Sequence, residues 1–339
     1  MDEEYEIDYD DDDLDYDEDD LDYDEDELDD EDEYRGDDKT VCVSPSSLQM
    51  IRNCSYSYYY YKVKRLPGRE FREKRPGIWL TPAERGNLVH EVMQSFYSGI
   101  AKKPLAEIPD SVTEKDIIAV FDKYRDMIPA VSTAVRKREE EQLKRKCLAF
   151  IDRDLKRIHN QPKDKVYIPL ITELEIQDDF QTYDIEGEFA DEPTLHIKPT
   201  GSRVDRIDYY KDDEQIIHCR IVDYKTGRLK GRDPDKQRIE AMEKSCQHAI
   251  YSRAICEYQK DENGKDKQTV VVDEFVYEYL LDDEPKSVVL TGEDMKSLCD
   301  YMQMSNIYHT LMTGEPYRYG VNRDCRYCNY RDICMQQYQ

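Results

Sequence analysis

Hydrophobic and polar positions in residues 201–227 follow the pattern of two adjacent β-strands. Apolar or aromatic residues stand at 204, 207 and 209, and a second apolar run follows at 216–222 after a polar turn. The turn between the two runs predicts a hairpin. Side chains of a strand alternate between its faces, so Asp223 and Lys225 in the second strand point the same way. The first strand contributes Asp205.

The remaining pattern predicts one α/β domain. Apolar positions at helical spacing, several of them preceded by capping residues, predict helices over residues 44–54, 81–98, 113–160, 235–258 and 291–312. Alternating apolar positions predict further strands over residues 165–178 and 269–281. The second of these strands has apolar side chains on both faces, which indicates an interior position in the sheet.

The negative charge of the chain is concentrated at its N-terminus. Residues 1–38 hold 26 of the 77 acidic residues and one of the 49 basic residues, which leaves 51 acidic and 48 basic residues for the remainder. Leucine and tyrosine recur in heptads there, but repulsion among the intervening carboxylates favours disorder over a coiled coil. We therefore expect a disordered acidic tail, residues 1–38, and one folded domain, residues 39–339.

The sequence predicts a cytoplasmic protein without a membrane partner. The acidic N-terminus is unlike a secretory signal, and no segment approaches the roughly 18 apolar residues of a membrane span. Ten cysteines in this context indicate free thiols or metal ligands rather than disulfides.

Asp205, Asp223 and Lys225 have the chemistry of a hard-metal site. Two carboxylates on neighbouring strands can share Mg²⁺ or Mn²⁺, which lowers the pKa of bound water and offsets charge on a phosphate. Lys225 can position that water or stabilise developing charge. A solvated hairpin is the alternative, although the buried flanks disfavour it. Glu173 and Glu175 on the preceding strand could each approach the site, but the pattern selects neither, and surface charge is their ordinary role.

A second candidate metal site involves cysteines at the C-terminus. Cys325, Cys328 and Cys334 form C-x2-C-x5-C, which needs one more thiolate to complete a four-ligand site. Cys54 is the best candidate for it. Four thiolates suit zinc or an iron–sulfur cluster.

The segments S-R-V-D-R-I-D and V-D-Y-K-T-G resemble the RecB/AddB-type nucleases of the PD-(D/E)XK superfamily, which includes CRISPR-associated RecB-like exonucleases. Five ordered signals across about residues 41–334 carry the resemblance. They are Cys54, G-x-x-x-H ending at His90, the Asp205 strand with Asp223-x-Lys225, Q-x-x-x-Y from Gln247 to Tyr251, and the C-terminal cysteines. Two positions depart from the family: Ser202 replaces its usual glycine and Ser55 its expected proline.

The resemblance implies a restriction-endonuclease-like core, with a central mixed sheet flanked by helices, a helical insertion and an iron–sulfur staple. It implies metal ligation by His90, Asp205 and Asp223. Lys225 would be catalytic, and Gln247 and Tyr251 would orient the active site or the DNA strand. Gly86 would allow close backbone approach. The implied 4Fe-4S cluster is held by Cys54, Cys325, Cys328 and Cys334, with a cluster-binding segment over residues 320–339.

These implications predict metal-dependent hydrolysis of DNA, by a single-strand exonuclease of DNA repair or recombination. Three alternatives stay open: a catalytically silent DNA-binding or scaffold subunit of a helicase–nuclease complex, a nuclease of CRISPR adaptation, and a nuclease regulator or interaction protein that works through the acidic tail. The sequence has no G-x-x-x-x-G-K-[ST] motif, so a partner helicase would be a separate chain.

Two roles are open to the acidic tail. Its simplest role is to keep the protein soluble. A sharper hypothesis is that carboxylates interleaved with tyrosines imitate a nucleic acid and occupy a basic, aromatic-lined groove. Removing residues 1–38 should then raise nuclease activity or DNA affinity, most strongly at low salt. Equal activity of the full and shortened chains would contradict this hypothesis.

Overall fold

A computed structural model of the chain describes residues 40–66, 77–177, 180, 182–186, 193–229, 233–256, 269–282, 285–298, 301–317, 325 and 328–334. The acidic tail and much of the segment 320–339 lie outside the described residues. None of the described helices is both long enough and apolar enough to cross a membrane.

The described residues alternate between helices and strands along the chain. The helices are α1 Pro45–Tyr58, α2 Pro82–Ile100, α3 Ile118–Met127, α4 Thr133–His159, α5 Pro234–Lys244, α6 Gln247–Cys256, α7 Gly292–Lys296 and α8 Tyr301–Thr313. The strands are β1 Thr40–Cys42, β2 Ile168–Glu175, β3 Tyr183–Ile185, β4 Leu195–Lys198, β5 Arg203–Lys211, β6 Ile217–Lys225, β7 Val270–Tyr279 and β8 Lys286–Leu290. A π-helical turn, Tyr59–Val63, follows α1.

A five-stranded mixed sheet of order β2-β5-β6-β7-β8 forms the centre of the fold. Strands β6 and β7 are parallel, and the other neighbours are antiparallel. The predicted hairpin is therefore confirmed as β5–β6, and β7 lies inside the sheet as its two apolar faces indicate. The α/β class with a mixed sheet flanked by helices is also confirmed.

Helices cover both faces of this sheet, so successive residues of β6 lie in different cores. Ile221 belongs to the core that includes residues of α1, α6 and α8. Val222 and Tyr224 belong to the core of α2, α3 and α4. Helix α2 begins where the sequence predicts, with Thr81 and Glu84 forming a reciprocal capping box. Helices α3 and α4 lie between α2 and β2 in the chain, where a helical insertion is expected.

A small second sheet was not evident in the sequence. Strand β4 pairs in parallel with β1 and antiparallel with β3, in the order β1-β4-β3. Strands of three or four residues are too short for alternation to identify. This sheet joins the start of the folded chain to the segment that leads into β5.

The single helix predicted over residues 235–258 is wrong, because the structure breaks it into α5 and α6. Ser245 has extended backbone angles at the break, and its hydroxyl accepts a hydrogen bond from the backbone N–H of Gln247 at 3.4 Å. The buried guanidinium of Arg52 donates to the carbonyl oxygens of Glu243 and Leu298, which stabilises the chain near the ends of α5 and α7. A hydrogen bond from the backbone to a serine hydroxyl, as at Ser245, competes with the hydrogen bonds of a continuous helix.

His248, the second residue of α6, is a fully buried imidazole. Its Nε2 lies 2.7 Å from the carbonyl oxygen of Ser297, which can only accept, so the ring hydrogen belongs on Nε2. Nδ1 then accepts from the hydroxyl of Tyr277 at 2.9 Å. Burial, with a smaller effect of the Arg52 charge, lowers the pKa of His248 to about 4.

We expect His248 to make the fold less stable as the pH falls from 7 to 5. The unfolded residue binds a proton near pH 6.5, whereas the folded residue resists protonation down to about pH 4, so acid favours the unfolded state between these values. The loss should be about 2 kcal/mol. Urea unfolding at both pH values measures it. The variant His248→Gln keeps a donor for Ser297 and should show a smaller loss, and an equal loss would contradict a neutral buried imidazole.

Candidate active site

Asp205 and Asp223 lie beside each other at one end of the β5–β6 hairpin. Arg206 pairs with Val222, so the same antiparallel register continued by one residue sets Asp205 opposite Asp223. The Asp205 and Asp223 side chains are 11% and 5% exposed. The backbone N–H of Tyr224 donates to Asp205 Oδ2 at 2.6 Å, which leaves Oδ1 directed toward α2.

Helix α2 brings His90 to this pair of strands. Its Nδ1 lies 3.3 Å from Asp205 Oδ1, and its Nε2 lies 3.1 Å from the carbonyl oxygen of Tyr224. Burial opposes a charged ring, but the negative charges of Asp205, Asp223 and Glu173 raise the pKa of His90 to about 9. Although burial opposes ionisation, His90 in turn holds the pKa of Asp205 below its usual range.

Lys225 is held by groups from two elements. Its Nζ lies 3.0 Å from Asp223 Oδ2 and donates to Gln247 Oε1 at 2.6 Å. The hydroxyl of Ser245 donates to the same Gln247 oxygen at 2.8 Å. Burial raises the pKa of Asp223 to about 6, where Lys225 opposes the rise and Asp205 adds to it. The structure therefore brings Asp223, Lys225 and Gln247 into one connected group.

Two other residues of the motif pattern have different surroundings. Tyr251, one turn beyond Gln247, is buried in the core on that face of the sheet. Gly86 is buried in α2, but a methyl group there would meet Thr226 Oγ1 at an ordinary 3.7 Å. The structure thus has room for alanine at residue 86, and close backbone approach does not explain the glycine.

Glu173 on β2 also reaches this region. Thr172 pairs with Arg206 and Leu174 with Val204, so Glu173 stands opposite Asp205. One ligand atom from each of His90, Glu173 and Asp205 can be chosen so that all three lie within 4.8 Å of one another. Among the residues that the structure describes, this is the only such group of three or more metal-ligating side chains.

Buried charges support the site from the other side of β5, and the sequence reading missed them. Arg206 is fully buried, with Nε 2.8 Å from Asp208 Oδ1 and a terminal nitrogen 3.0 Å from Asp154 Oδ2. It also donates to the Tyr224 hydroxyl at 2.8 Å, and its guanidinium carbon lies 4.0 Å from the centre of the Tyr97 ring. The sequence did contain a signal for this network, because residues 206 and 208 are charged although their strand is predicted to be buried.

The C-terminal cysteine segment packs against the end of α1. Cys54 interrupts α1 with extended backbone angles. The Ser57 hydroxyl lies 3.7 Å from the Cys328 sulfur, and the Tyr330 hydroxyl donates to the Leu66 carbonyl at 3.0 Å. Burial raises the pKa of the Cys54 thiol, and Cys328 and Cys334 are near enough to add to the rise. Even so, no three cysteine sulfur atoms in the described ranges lie within 4.8 Å of one another.

Comparison with known proteins gives one family match for this chain. The family model described as the PD-(D/E)XK nuclease superfamily matches residues 42–335. No curated protein matches the chain. Among solved structures, the crystal structure of SSO0001 is similar at 12% identity over 74% of this chain and 95% of that chain. Its TM-score is 0.27, which is too low to support a conclusion about the fold.

Proposed function

Because this chain belongs to the PD-(D/E)XK nuclease superfamily, whose members are metal-dependent nucleases, we propose that it is a RecB/AddB-type exonuclease acting on single-stranded DNA. The main support for this proposal is that His90 lies against Asp205, beside Asp223 and Lys225. The mixed sheet flanked by helices is consistent with the restriction-endonuclease-like core of that superfamily.

The residues present fit a hard divalent cation. Asp205, Asp223 and His90 are the proposed ligands, and carboxylate oxygens are the donors that Mg²⁺ and Mn²⁺ prefer. The raised pKa of Asp223, caused chiefly by burial, indicates that its ionised form lacks full compensation in the protein alone. When bound, such a cation would lower the pKa of a coordinated water molecule and offset negative charge on the phosphate.

Lys225 is the proposed catalytic cation of the chain itself. Its ammonium group lies on the same strand face as Asp223, where it can stabilise negative charge that develops on the scissile phosphate. Gln247 accepts from Lys225, and Ser245 donates to Gln247, so both restrict where the ammonium group can go. Tyr251 is proposed to act with Gln247 through the position of α6, which its burial supports.

A tyrosine-rich and basic segment supports a single-stranded substrate. Lys64 Nζ lies 4.9 Å from the centre of the Tyr59 ring, and Lys62 Nζ lies 5.8 Å from that of Tyr61. Aromatic rings stack on bases of any sequence, and basic side chains contact phosphates. We also propose a cytoplasmic role in DNA repair or recombination, in which a separate helicase subunit would supply single strands.

End-labelled DNA provides the test of this function. With Mn²⁺, the intact protein should shorten linear single strands from their ends and leave circular single strands intact, and a chelator should abolish digestion. Asp223→Asn and Lys225→Ala should each lower the rate by at least about a hundredfold. Asp213→Asn, in the exposed turn of the same hairpin, is the matched control and should retain the rate.

Two results would contradict the proposed activity. Digestion of circular strands would show an endonuclease. If the intact protein binds DNA but cleaves none with any divalent cation, it is a silent binding or scaffold subunit.

We further propose that Cys54, Cys325, Cys328 and Cys334 hold a 4Fe-4S cluster with a structural role. Cysteine thiolates are the usual ligands of such clusters. Three observations support the assignment: the interruption of α1 at Cys54, the nearness of Cys328 and Cys334 to the Cys54 thiol, whose pKa they help to raise, and the packing of Tyr330 on Tyr60 with ring centres 5.5 Å apart. The cluster would join the beginning of the domain to its end.

Anaerobic purification tests the cluster. The intact protein should be brown, with broad visible absorption, and Cys54→Ser should lose the colour and lower the melting temperature. Cys256→Ser changes a half-buried cysteine of α6 outside the proposed set, and it should keep the colour. A colourless protein with one bound zinc would establish the zinc alternative, because zinc thiolates do not absorb visible light.

A further inference from the structure

We propose that Glu173 is a further ligand of the divalent cation, beside His90 and Asp205. This inference rests on the proposed function and adds to it a ligand, Glu173, that no motif in the sequence includes. The sequence leaves Glu173 and Glu175 equivalent. The structure distinguishes them.

Strand pairing places Glu173 at the site. It stands between the paired residues Thr172 and Leu174 of β2, directly across from Asp205 of β5. One ligand atom from each of His90, Glu173 and Asp205 falls within 4.8 Å of the other two, a spacing that a single cation can bridge. Carboxylate oxygens and an imidazole nitrogen together suit Mn²⁺, and the carboxylates also suit Mg²⁺. Glu175 lies at the exposed end of β2.

The backbone at Glu173 separates its side chain from that of Glu175. In a regular strand, residues two apart share a face. Glu173 instead has a φ of +51°, in the left-handed region that costs a non-glycine residue about 1–2 kcal/mol. The Thr172 hydroxyl lies 2.7 Å from that of Ser98 on α2, so the adjacent residue holds β2 against the helix that carries His90.

Charge balance also favours Glu173 as a ligand. Asp205, Asp223 and Glu173 together bring three carboxylates to the site, and Lys225 lies 3.0 Å from one of them. A divalent cation that replaced the His90 proton would leave His90 as a neutral ligand and compensate the other two carboxylates. Buried or half-buried charges persist in proteins when they are compensated in this way.

Titration of the full-length protein with Mn²⁺ tests the proposal, with free Mn²⁺ followed by electron paramagnetic resonance. Glu173→Gln should weaken binding by at least about tenfold, because it removes a ligand. Glu173→Asp keeps the charge but shortens the side chain, and it should weaken binding too. Glu175→Gln removes the same charge two residues away and is the matched control, which should bind as the intact protein does. Thermal unfolding in a chelator checks that all variants fold.

The outcomes distinguish this inference from the proposed function. If the intact protein binds Mn²⁺ and digests DNA, but Glu173→Gln binds with unchanged affinity, the inference is overturned and the nuclease function stands. If only Glu173→Gln is weakened and Glu173→Asp binds normally, Glu173 acts by its charge alone and is not a ligand. If the intact protein neither binds Mn²⁺ nor digests DNA, the proposed function itself fails.

Discussion

The geometry of the site depends on the ion pairs and the hydrogen bond that the buried guanidinium of Arg206 makes. A charged group removed from water must be compensated, and Asp208, Asp154 and the Tyr224 hydroxyl do this within hydrogen-bonding distance. Because adjacent residues of a strand point to opposite faces, anchoring Arg206 on one face directs Asp205 to the other. Breaking such a buried pair by removing one partner costs about 3–5 kcal/mol.

The same network determines where α2 and α4 lie. Asp154 of α4 accepts from the Tyr97 hydroxyl at 2.7 Å, and Tyr97 follows His90 on α2 by two turns. The helix that reaches the buried charges at one point therefore presents His90 to Asp205 at another. Tyr224 links the two faces: its side chain joins the network, while its backbone N–H and carbonyl oxygen face Asp205 and His90. The helical insertion thus supports the site indirectly, through the contact of Asp154 with Arg206.

The opposite face of the sheet positions Lys225 by different contacts. The break between α5 and α6 places Gln247 at the start of a helix, where its side-chain oxygen meets Lys225. Ser245 occupies the break and donates to that oxygen, and Arg52 holds the end of α5 through the Glu243 carbonyl. A continuous helix through this segment would have presented Gln247 in another direction. The contact between His90 and Asp205 and the position of Lys225 are therefore supported from separate cores.

Alternation, capping and antiparallel pairing are local properties of the chain. The amino-acid order alone therefore predicts the β5–β6 hairpin, the helix that carries His90 and the adjacency of Asp205 to Asp223. The other features depend on contacts between distant segments. Alternation left Glu173 equivalent to Glu175, and only the left-handed backbone at Glu173, with β2 held against α2, separated them. Strands β1, β3 and β4 are too short to show a period, so their pairing depends on neighbours distant in sequence. The physical reason is common to these cases: a local pattern specifies which face a residue occupies, whereas packing between distant segments specifies what that face meets.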